Sequence, residues 1–270
     1  MSEKEGIRSS TKFLWQLILE LLKFPFTLIM VLVRKKEVKD LFGPFKEILK
    51  FIVEARLTLS LVIINVIIFF SLGFMVEQMM NVLINYPKDL FSSRAWSLIT
   101  SGFLHANLSH LLGNMLALFL FGRVVEKELG TGKMFLSYFG ALMISGVFSS
   151  VISLFIMNDN TPGLGASGAI MGLVATAILV SPFTISYEAI IPMPVMFLGW
   201  LTIWADITGL INPTADGIGH LAHLGGFISV AIIAFILGED KKKLWRGFLI
   251  NLGCLAVAGL VWFFVLKGKT

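Results

Sequence analysis

Long apolar stretches alternate with short polar segments along most of the chain. A membrane-spanning helix needs about 20 predominantly apolar residues, and seven stretches approach or exceed that length. They cover residues 57–76, 106–125, 134–157, 165–181, 190–211, 219–238 and 247–266. The fourth stretch is short for a span and begins at a glycine-rich turn. The pattern predicts an all-α polytopic membrane protein.

Two further segments are less regular. Residues 13–33 are apolar but interrupted, so they predict either an eighth span or a helix lying on the membrane surface. The interruptions are Gln16, Glu20, Lys23 and Pro25, and the proline is expected to break the helix. Residues 77–105 form a long, semi-polar connection whose amphipathic pieces are typical of an interfacial or re-entrant segment.

The distribution of basic residues decides the orientation. If 13–33 lies on the surface, the region up to Arg56 and the predicted loops 123–133 and 239–246 share one side of the membrane. That side then holds all of the 22 Lys and Arg residues except Lys88, Arg94, Lys267 and Lys269. The positive-inside rule places this side, and the N-terminus, in the cytoplasm and the C-terminus outside. A spanning 13–33 would worsen the partition, so the surface helix is favoured.

Composition agrees with this prediction. Of the 270 residues, 56% are hydrophobic and 14% are charged, whereas soluble domains have about 45–50% and about 25%. The net charge of +5 comes from the membrane-proximal basic segments, which attract anionic lipid headgroups, so nucleic acid is not an expected partner. A single cysteine, Cys254, excludes a disulfide framework and a cysteine-based zinc site.

Polar side chains inside membrane spans are costly and usually functional. At or within the predicted spans they are His105, His110, Asn114, Ser167, Asp206, His220 and His223, which include all four histidines of the chain. Counting spans from the cytoplasmic N-terminus places His110, Asn114, Ser167 and His223 in the outer half of the membrane, although they lie on three separate spans. The shared depth predicts that these side chains meet.

The neighbouring small residues explain how two spans could approach closely enough. Gly168 and Gly172 on the fourth span would face Ala222 and Gly226 on the sixth. His223 could then take the proton of the Ser167 hydroxyl as it attacks a peptide carbonyl. No acid is evident beside His223, because Asp216 lies outside the span, and the sequence therefore predicts a dyad.

An oxyanion formed in such a reaction needs hydrogen-bond donors. His110 and Asn114 are four residues apart, so they lie on one face of a helix and can point to the same place. The backbone N–H of Ser167 at a helix start is a third candidate donor.

Other interpretations remain for each residue. Ser167 alone could be a packing serine, and His223 and His220 could be hydrogen-bonded to a neighbouring helix. The four histidines could suggest a metal site, which the absence of a carboxylate at the same depth disfavours. Asp206 could be a proton relay in a transporter or channel, but a structural hydrogen-bonded acid is favoured, because the polar cluster is shallow and no repeated halves are evident.

Several ordered motifs resemble those of the rhomboid intramembrane serine proteases. Gly165-Ala166-Ser167-Gly168 resembles the GxSG signature, and Ala222-His223-Leu224-Gly225-Gly226 resembles the later AHxxG motif. His110 to Asn114 resembles HxxxN of the second span, and Gly122 to Glu126 resembles the GxxxE that closes that span. In the family this glutamate makes structural hydrogen bonds. The motifs occur in family order across residues 110–226.

The resemblance implies a six-helix rhomboid-like core at 56–238, with a cytoplasmic or interfacial region at 1–55 before it. Residues 239–270 would add a linker and one C-terminal transmembrane helix. It also implies a serine endopeptidase of the cell membrane that needs no cofactor or metal and cleaves transmembrane substrates near the extracytoplasmic face. The substrate would enter laterally past a mobile fifth span. A catalytically silent client-binding relative is the alternative, although silent relatives typically lose the serine or the histidine.

Two departures from the family pattern affect local packing. The first loop of the family often carries a Trp-Arg pair, whereas here Trp96 is followed by Ser97 and Arg94 comes before it. Some members also place a tyrosine one turn after the nucleophile, where this chain has Met171. Within the resemblance, Glu126, Gly168, Gly172 and Gly226 support the structure.

Overall fold

Helices make up almost all of the regular structure. A computed structural model describes residues 3–72, 81–186, 193–211, 219–237 and 241–261. The helices are α1 (Glu3–Leu32), α2 (Gly43–Val53), α3 (Arg56–Leu72), α4 (Ser97–Thr100), α5 (Leu108–Ala117), α6 (Arg123–Leu129), α7 (Thr131–Ile152), α8 (Ser167–Val180), α9 (Val195–Ile211), α10 (His220–Leu237) and α11 (Lys241–Val261). Short 3₁₀ turns occupy Val38–Phe42, Pro87–Phe91 and Ser101–Phe103, and π turns occupy Leu118–Gly122 and Ser153–Met157. The all-α prediction is confirmed.

Helix length and hydropathy in the described residues match a membrane protein. Four stretches are long and apolar enough to cross a bilayer: Trp15–Leu32, Leu108–Leu129, Thr131–Met157 and Lys241–Leu260. The pair Val38–Val53 and Arg56–Leu72 also passes together but is bent by 90°. Ser167–Val180, Val195–Ile211 and His220–Ile233 are shorter apolar helices.

Helix α8 forms the centre of the bundle. Every residue from Gly168 to Val180 is buried, and α8 is surrounded by α7, α10 and α11 with the π turn between α5 and α6. A helix that is apolar on all sides is stable only when its whole circumference is covered. The shortness of this predicted span therefore reflects its position inside the bundle.

Buried charges tie the helices together at one end, here called the basic end, where Arg123, Lys127 and Lys243 lie. Arg123 donates to Glu54 at 2.8 Å and to the Phe51 carbonyl at 3.1 Å. Lys243 at the start of α11 pairs with Glu128 of α6. Buried charges are costly unless they are paired, so these contacts fix the helix ends relative to one another.

Helix α1 lies alongside α2. The Phe13 ring stacks on Phe51 with ring centroids 4.0 Å apart, and Glu20 packs against Gly43. The pair α2 and α3 is bent by 90°, and α1 packs on α2. Trp15–Leu32 is itself long and apolar enough to cross a bilayer, so the surface placement of 13–33 stays a prediction.

Three local expectations from the sequence are wrong. Pro25 does not break α1, which continues through it to Leu32. The predicted 123–133 loop is almost entirely helical, and the chain turns at Gly130 alone, whose φ of 85° favours glycine. The predicted 239–246 loop is helical from Lys241 onward, so α11 begins before residue 247. In the last two cases the buried residues of α6 and the Lys243–Glu128 pair at the start of α11 outweigh a local signal.

Two connections between the long helices, residues 81–105 and the segment between α8 and α9, contain only short elements. Residues 81–105 contain a succession of short turns around Pro87–Phe91 and α4, and Arg94 pairs with the buried Asp89 at 3.2 Å. Between α8 and α9, Ile185–Ser186 and Met193–Pro194 form a short antiparallel pair, β1 and β2. The sequence did not predict this hairpin.

Candidate active site

The loop that precedes α8 is held tightly against α5. Gly165 has a φ of 120°, which favours glycine, and its N–H donates to the Ser101 carbonyl at 2.9 Å. A Cβ on Gly165 would lie 2.9 Å from the His110 ring and 3.7 Å from Asn114 Nδ2. This approach brings the residues before Ser167, the first residue of α8, next to His110 and Asn114.

The side chains of His110 and Asn114 both present hydrogen-bond donors. Asn107 caps α5 by accepting from the His110 N–H at 2.8 Å. His110 Nδ1 accepts a long hydrogen bond, 3.4 Å, from the Ala106 N–H, which leaves Nε2 as the protonated nitrogen of the neutral ring. Asn114 Nδ2 is buried and has no partner among the described residues. Both groups can therefore donate to an added acceptor.

His223 lies on the first turn of α10 and is bonded to an acid. Its Nδ1 is 2.7 Å from Asp206 Oδ1, and His220 Nδ1 is 3.0 Å from the same oxygen. The expectation that no acid accompanies His223 is therefore wrong. The prediction that Asp206 is a hydrogen-bonded acid is confirmed, with His223 itself as one partner.

These side chains line one cavity of about 590 Å³ between α5, α8, α9 and α10. Its polar lining includes Asn114, Ser167, Asp206, His220 and His223. His110 does not line this cavity; it borders the Gly165 loop on the neighbouring side. No hydrogen bond joins Ser167 to His223 in the part of the chain that the structure describes. Catalytic hydrogen bonds are commonly long before substrate binds.

Small residues set the distance between the serine and histidine helices. A Cβ on Gly226 would lie 2.0 Å from the Gly168 carbonyl oxygen. A Cβ on Gly172 would lie 2.2 Å from Ala141 Cβ and 3.3 Å from the Gly226 carbonyl oxygen. Since no larger side chain fits there, α8 and α10 are in backbone contact at the depth of Ser167 and His223.

Glu126 lies at the basic end, away from the cavity. Its two carboxylate oxygens accept from the backbone N–H groups of Leu57 and Thr58 at 2.9 Å and 2.8 Å, and from both the Thr58 and Thr131 hydroxyls. The first N–H groups of a helix have no partner within it. Glu126 satisfies them for α3 and so joins α3 to α6.

The donor set of Asp206, His220 and His223 could also hold a metal ion, because one ligand atom from each lies within 4.8 Å of the others. The reason given above for disfavouring a metal, that no carboxylate lies at the depth of the histidines, is therefore wrong. The sequence contained a signal for this grouping. Asp206 is near the end of one span and the two histidines are near the start of the next, so all three share a depth. Asp216 falls in 212–218, outside the described residues.

Comparison with known proteins matches residues 92–240 to the Rhomboid domain. The chain is 31% identical over 157 residues to Rhomboid-like protein 11, chloroplastic, of Arabidopsis thaliana, covering 54% of each chain. It is 29% identical over 215 residues to Rhomboid protease AarA of Providencia stuartii, covering 69% of this chain and 75% of the relative. Rhomboid protease GlpG of Photorhabdus laumondii is 26% identical over 178 residues, covering 66% of this chain and 60% of the relative. The chain spans about half the length of the plant relatives.

Proposed function

Because the chain belongs to the rhomboid family, we propose that it is an intramembrane serine endopeptidase that uses Ser167 and His223. His223 Nδ1 is bonded to Asp206, so Nε2 is the nitrogen left to accept a proton. In the proposed reaction the Ser167 hydroxyl attacks a peptide carbonyl carbon and its proton passes to Nε2. The proton then goes to the leaving amine as the peptide bond breaks, and water hydrolyses the acyl-enzyme by the same steps.

The developing oxyanion would be stabilised by the side chains of His110 and Asn114 and by the backbone N–H of Ser167. The unpartnered Asn114 Nδ2 supports this role, because a buried donor without an acceptor is costly unless it has a use. Donors fixed before the reaction need no rearrangement in the transition state, which makes them effective in a site that excludes water.

One observation carries the proposal. Ser167, His223 and the unpartnered amide of Asn114 line the same cavity, although they come from three separate helices. A nucleophile, a base and an oxyanion donor in one cavity are the groups that acyl transfer requires. The cavity lies between α5 and α9, so a transmembrane segment could approach it laterally.

The remaining assignments follow from the same premise. We propose a protease core at 56–238, a cytoplasmic or interfacial region at 1–55, and a linker with an additional transmembrane helix at 239–270. The N-terminus would be cytoplasmic and the C-terminus extracytoplasmic, in a cell membrane, by the distribution of basic residues. The substrates would be transmembrane proteins that are cut near the extracytoplasmic face.

The proposal is tested with the full chain in proteoliposomes and a single-span substrate that carries small residues near its outer end. Wild type should cleave it, and Ser167→Ala and His223→Ala should abolish cleavage. Asn114→Ala and His110→Ala should each lower kcat by about 10²–10³-fold, the usual cost of one oxyanion donor. Cleavage that persists in Ser167→Ala would exclude Ser167 as the nucleophile.

A matched control removes a different membrane hydroxyl. Ser149 in α7 donates only to the Gly146 carbonyl of its own helix, so Ser149→Ala should retain the wild-type rate. Binding of the substrate by wild type without any cleavage would instead support the silent client-binding alternative.

A further inference from the structure

The carboxylate of Asp206 has a more specific role than holding two helices together. We propose that Asp206 is the positioning residue of the catalytic histidine, so that Ser167, His223 and Asp206 form a triad rather than a dyad of Ser167 and His223. This inference rests on the proposed function. It adds a third residue that the motifs of the sequence did not indicate.

The geometry places the acid on the correct nitrogen. Asp206 Oδ1 lies 2.7 Å from His223 Nδ1, within the range of a charge-assisted hydrogen bond. A histidine that acts as general base towards a serine must present Nε2 to the hydroxyl and keep its proton on Nδ1. A carboxylate that accepts from Nδ1–H selects that tautomer and fixes the ring plane.

The low exposure of these side chains increases the effect of the Asp206–His223 contact on the proton transfer. The side chains of Asp206, His220 and His223 are only 13–16% exposed. When His223 takes the serine proton it becomes an imidazolium, and an isolated cation in an apolar environment is strongly unfavourable. With an ionised Asp206 beside it, the proton transfer produces an imidazolium–carboxylate ion pair without net charge instead of a lone buried cation.

A second histidine holds the carboxylate in place. His220 Nδ1 is 3.0 Å from the same Oδ1, one helical turn before His223 on α10. Asp206 comes from α9, and among the described residues the other titratable side chains around His223 are His220 on its own helix and His110 on α5. Helix α8 presents Ser167, and α7 presents the Ser145 hydroxyl close to Gly168. Among these groups, Asp206 alone supplies a negative charge.

A purely structural Asp206 predicts a different behaviour. In that case its removal would lower stability and the fraction of folded enzyme, but each folded molecule would turn over at the wild-type rate. A positioning residue acts on the chemical step, so kcat per active site should fall while KM changes little.

The kinetic test compares Asp206→Asn with wild type in proteoliposomes, with active sites counted by covalent labelling of Ser167 with a fluorophosphonate. We expect kcat per labelled site to fall roughly 10²-fold, below the 10⁴-fold extreme known for an orienting aspartate, with KM within about twofold. Asp206→Glu, which keeps the carboxylate, should recover part of the loss. Asp159→Asn in an exposed loop makes the same chemical change and should leave kcat unchanged.

Spectroscopy tests the wild-type protein directly, so the proposal does not depend on a variant that folds. The chain has only four histidines, and ¹⁵N-histidine spectra in lipid can be assigned by single His→Gln variants. We expect His223 to carry its proton on Nδ1. A neutral His223 protonated on Nε2, or an unchanged kcat in Asp206→Asn, overturns the role of Asp206 and leaves the serine protease proposal intact. Absence of cleavage by wild type overturns the proposed function itself.

Discussion

Helices α8 and α9 both contribute polar groups to the cavity, but the bundle holds them very differently. Helix α8 is buried along its full length after Ser167. Helix α9 has only three buried residues, Val195, Met196 and Gly199, all in its first two turns. Its second half exposes Trp204 and Ile211, at 66% and 71%. Ser167 therefore lies on a helix that is packed on all sides. Asp206 lies on a helix whose buried residues are in its first two turns, away from Asp206.

The first half of α9 is anchored through α11. Trp200 Nε1 donates to Asn251 Oδ1 at 2.8 Å, and Asn251 Nδ2 donates to the Ile178 carbonyl of α8 at 2.7 Å. At the start of α9, the Val195 and Met196 N–H groups donate to the Thr184 and Pro182 carbonyls. Towards its other end, the described polar link from α9 to the bundle is Asp206 with its two histidines. A helix fixed at one end and lightly held at the other suits the lateral gate that the family resemblance implies.

The largest expected effect comes from disrupting the rigid side of this comparison. In Gly226→Val the new Cβ would lie 2.0 Å from the Gly168 carbonyl oxygen, so α8 and α10 must separate. We expect a loss of about 3 kcal/mol in the free energy of unfolding and little remaining cleavage. Gly253→Val in α11, where a Cβ meets nothing within 4 Å, is the control for thermal unfolding in detergent. Equal melting temperatures for both variants would contradict the close approach.

A smaller effect is expected at the contact between α9 and Asn251 of α11. Asn251→Leu removes two interhelical hydrogen bonds and should destabilise the protein by about 1 kcal/mol. In a double-mutant cycle with Trp200→Phe, the coupling free energy should be about 0.6 kcal/mol. Equilibrium unfolding in mixed micelles measures it.

The control for these variants lies in the second half of α9. Thr208 donates only to the Trp204 and Ala205 carbonyls of its own helix, so Thr208→Val should change stability by less than about 0.5 kcal/mol. If Thr208→Val proved as costly as Asn251→Leu, the two ends of α9 would be equally well held and the comparison would fail.

The smallest effect is a pH dependence in the connection between α4 and α5. His105 is 4% exposed and neither ring nitrogen has a partner among the described residues. Burial, with the neighbouring His110 ring, lowers the pKa of His105 from 6.5 to about 4. Between these values the unfolded chain binds the extra proton, so this histidine reduces stability as pH falls from about 6.5 towards 4.

That dependence is measured by the melting temperature of wild type and His105→Gln between pH 7 and pH 5. Wild type should lose more stability over this interval than the variant, because glutamine does not titrate. Parallel curves for the two proteins would show that His105 is protonated equally in the folded and unfolded chains.

Much of the fold could be predicted because a bilayer imposes a simple rule on the sequence. Each spanning helix must be long and apolar, so the stretches that became α3, α5 and α7 to α11 were evident from the pattern of apolar residues. Helix ends were less predictable. Pro25 lies inside α1 and Lys241 begins α11. At α11 the Lys243–Glu128 pair of the basic end holds residues that the sequence pattern had assigned to a loop.

The candidate site was likewise predictable in part. The sequence by itself determined which residue types occur at a common depth, because depth follows from counting spans, and so Ser167, His223, His110 and Asn114 could be grouped. Only the tertiary structure decided which side chains face one another around each helix. Rotation about a helix axis leaves depth unchanged, which is why Asp206 had the correct depth in the sequence but acquired its partners, His220 and His223, only in the packed bundle.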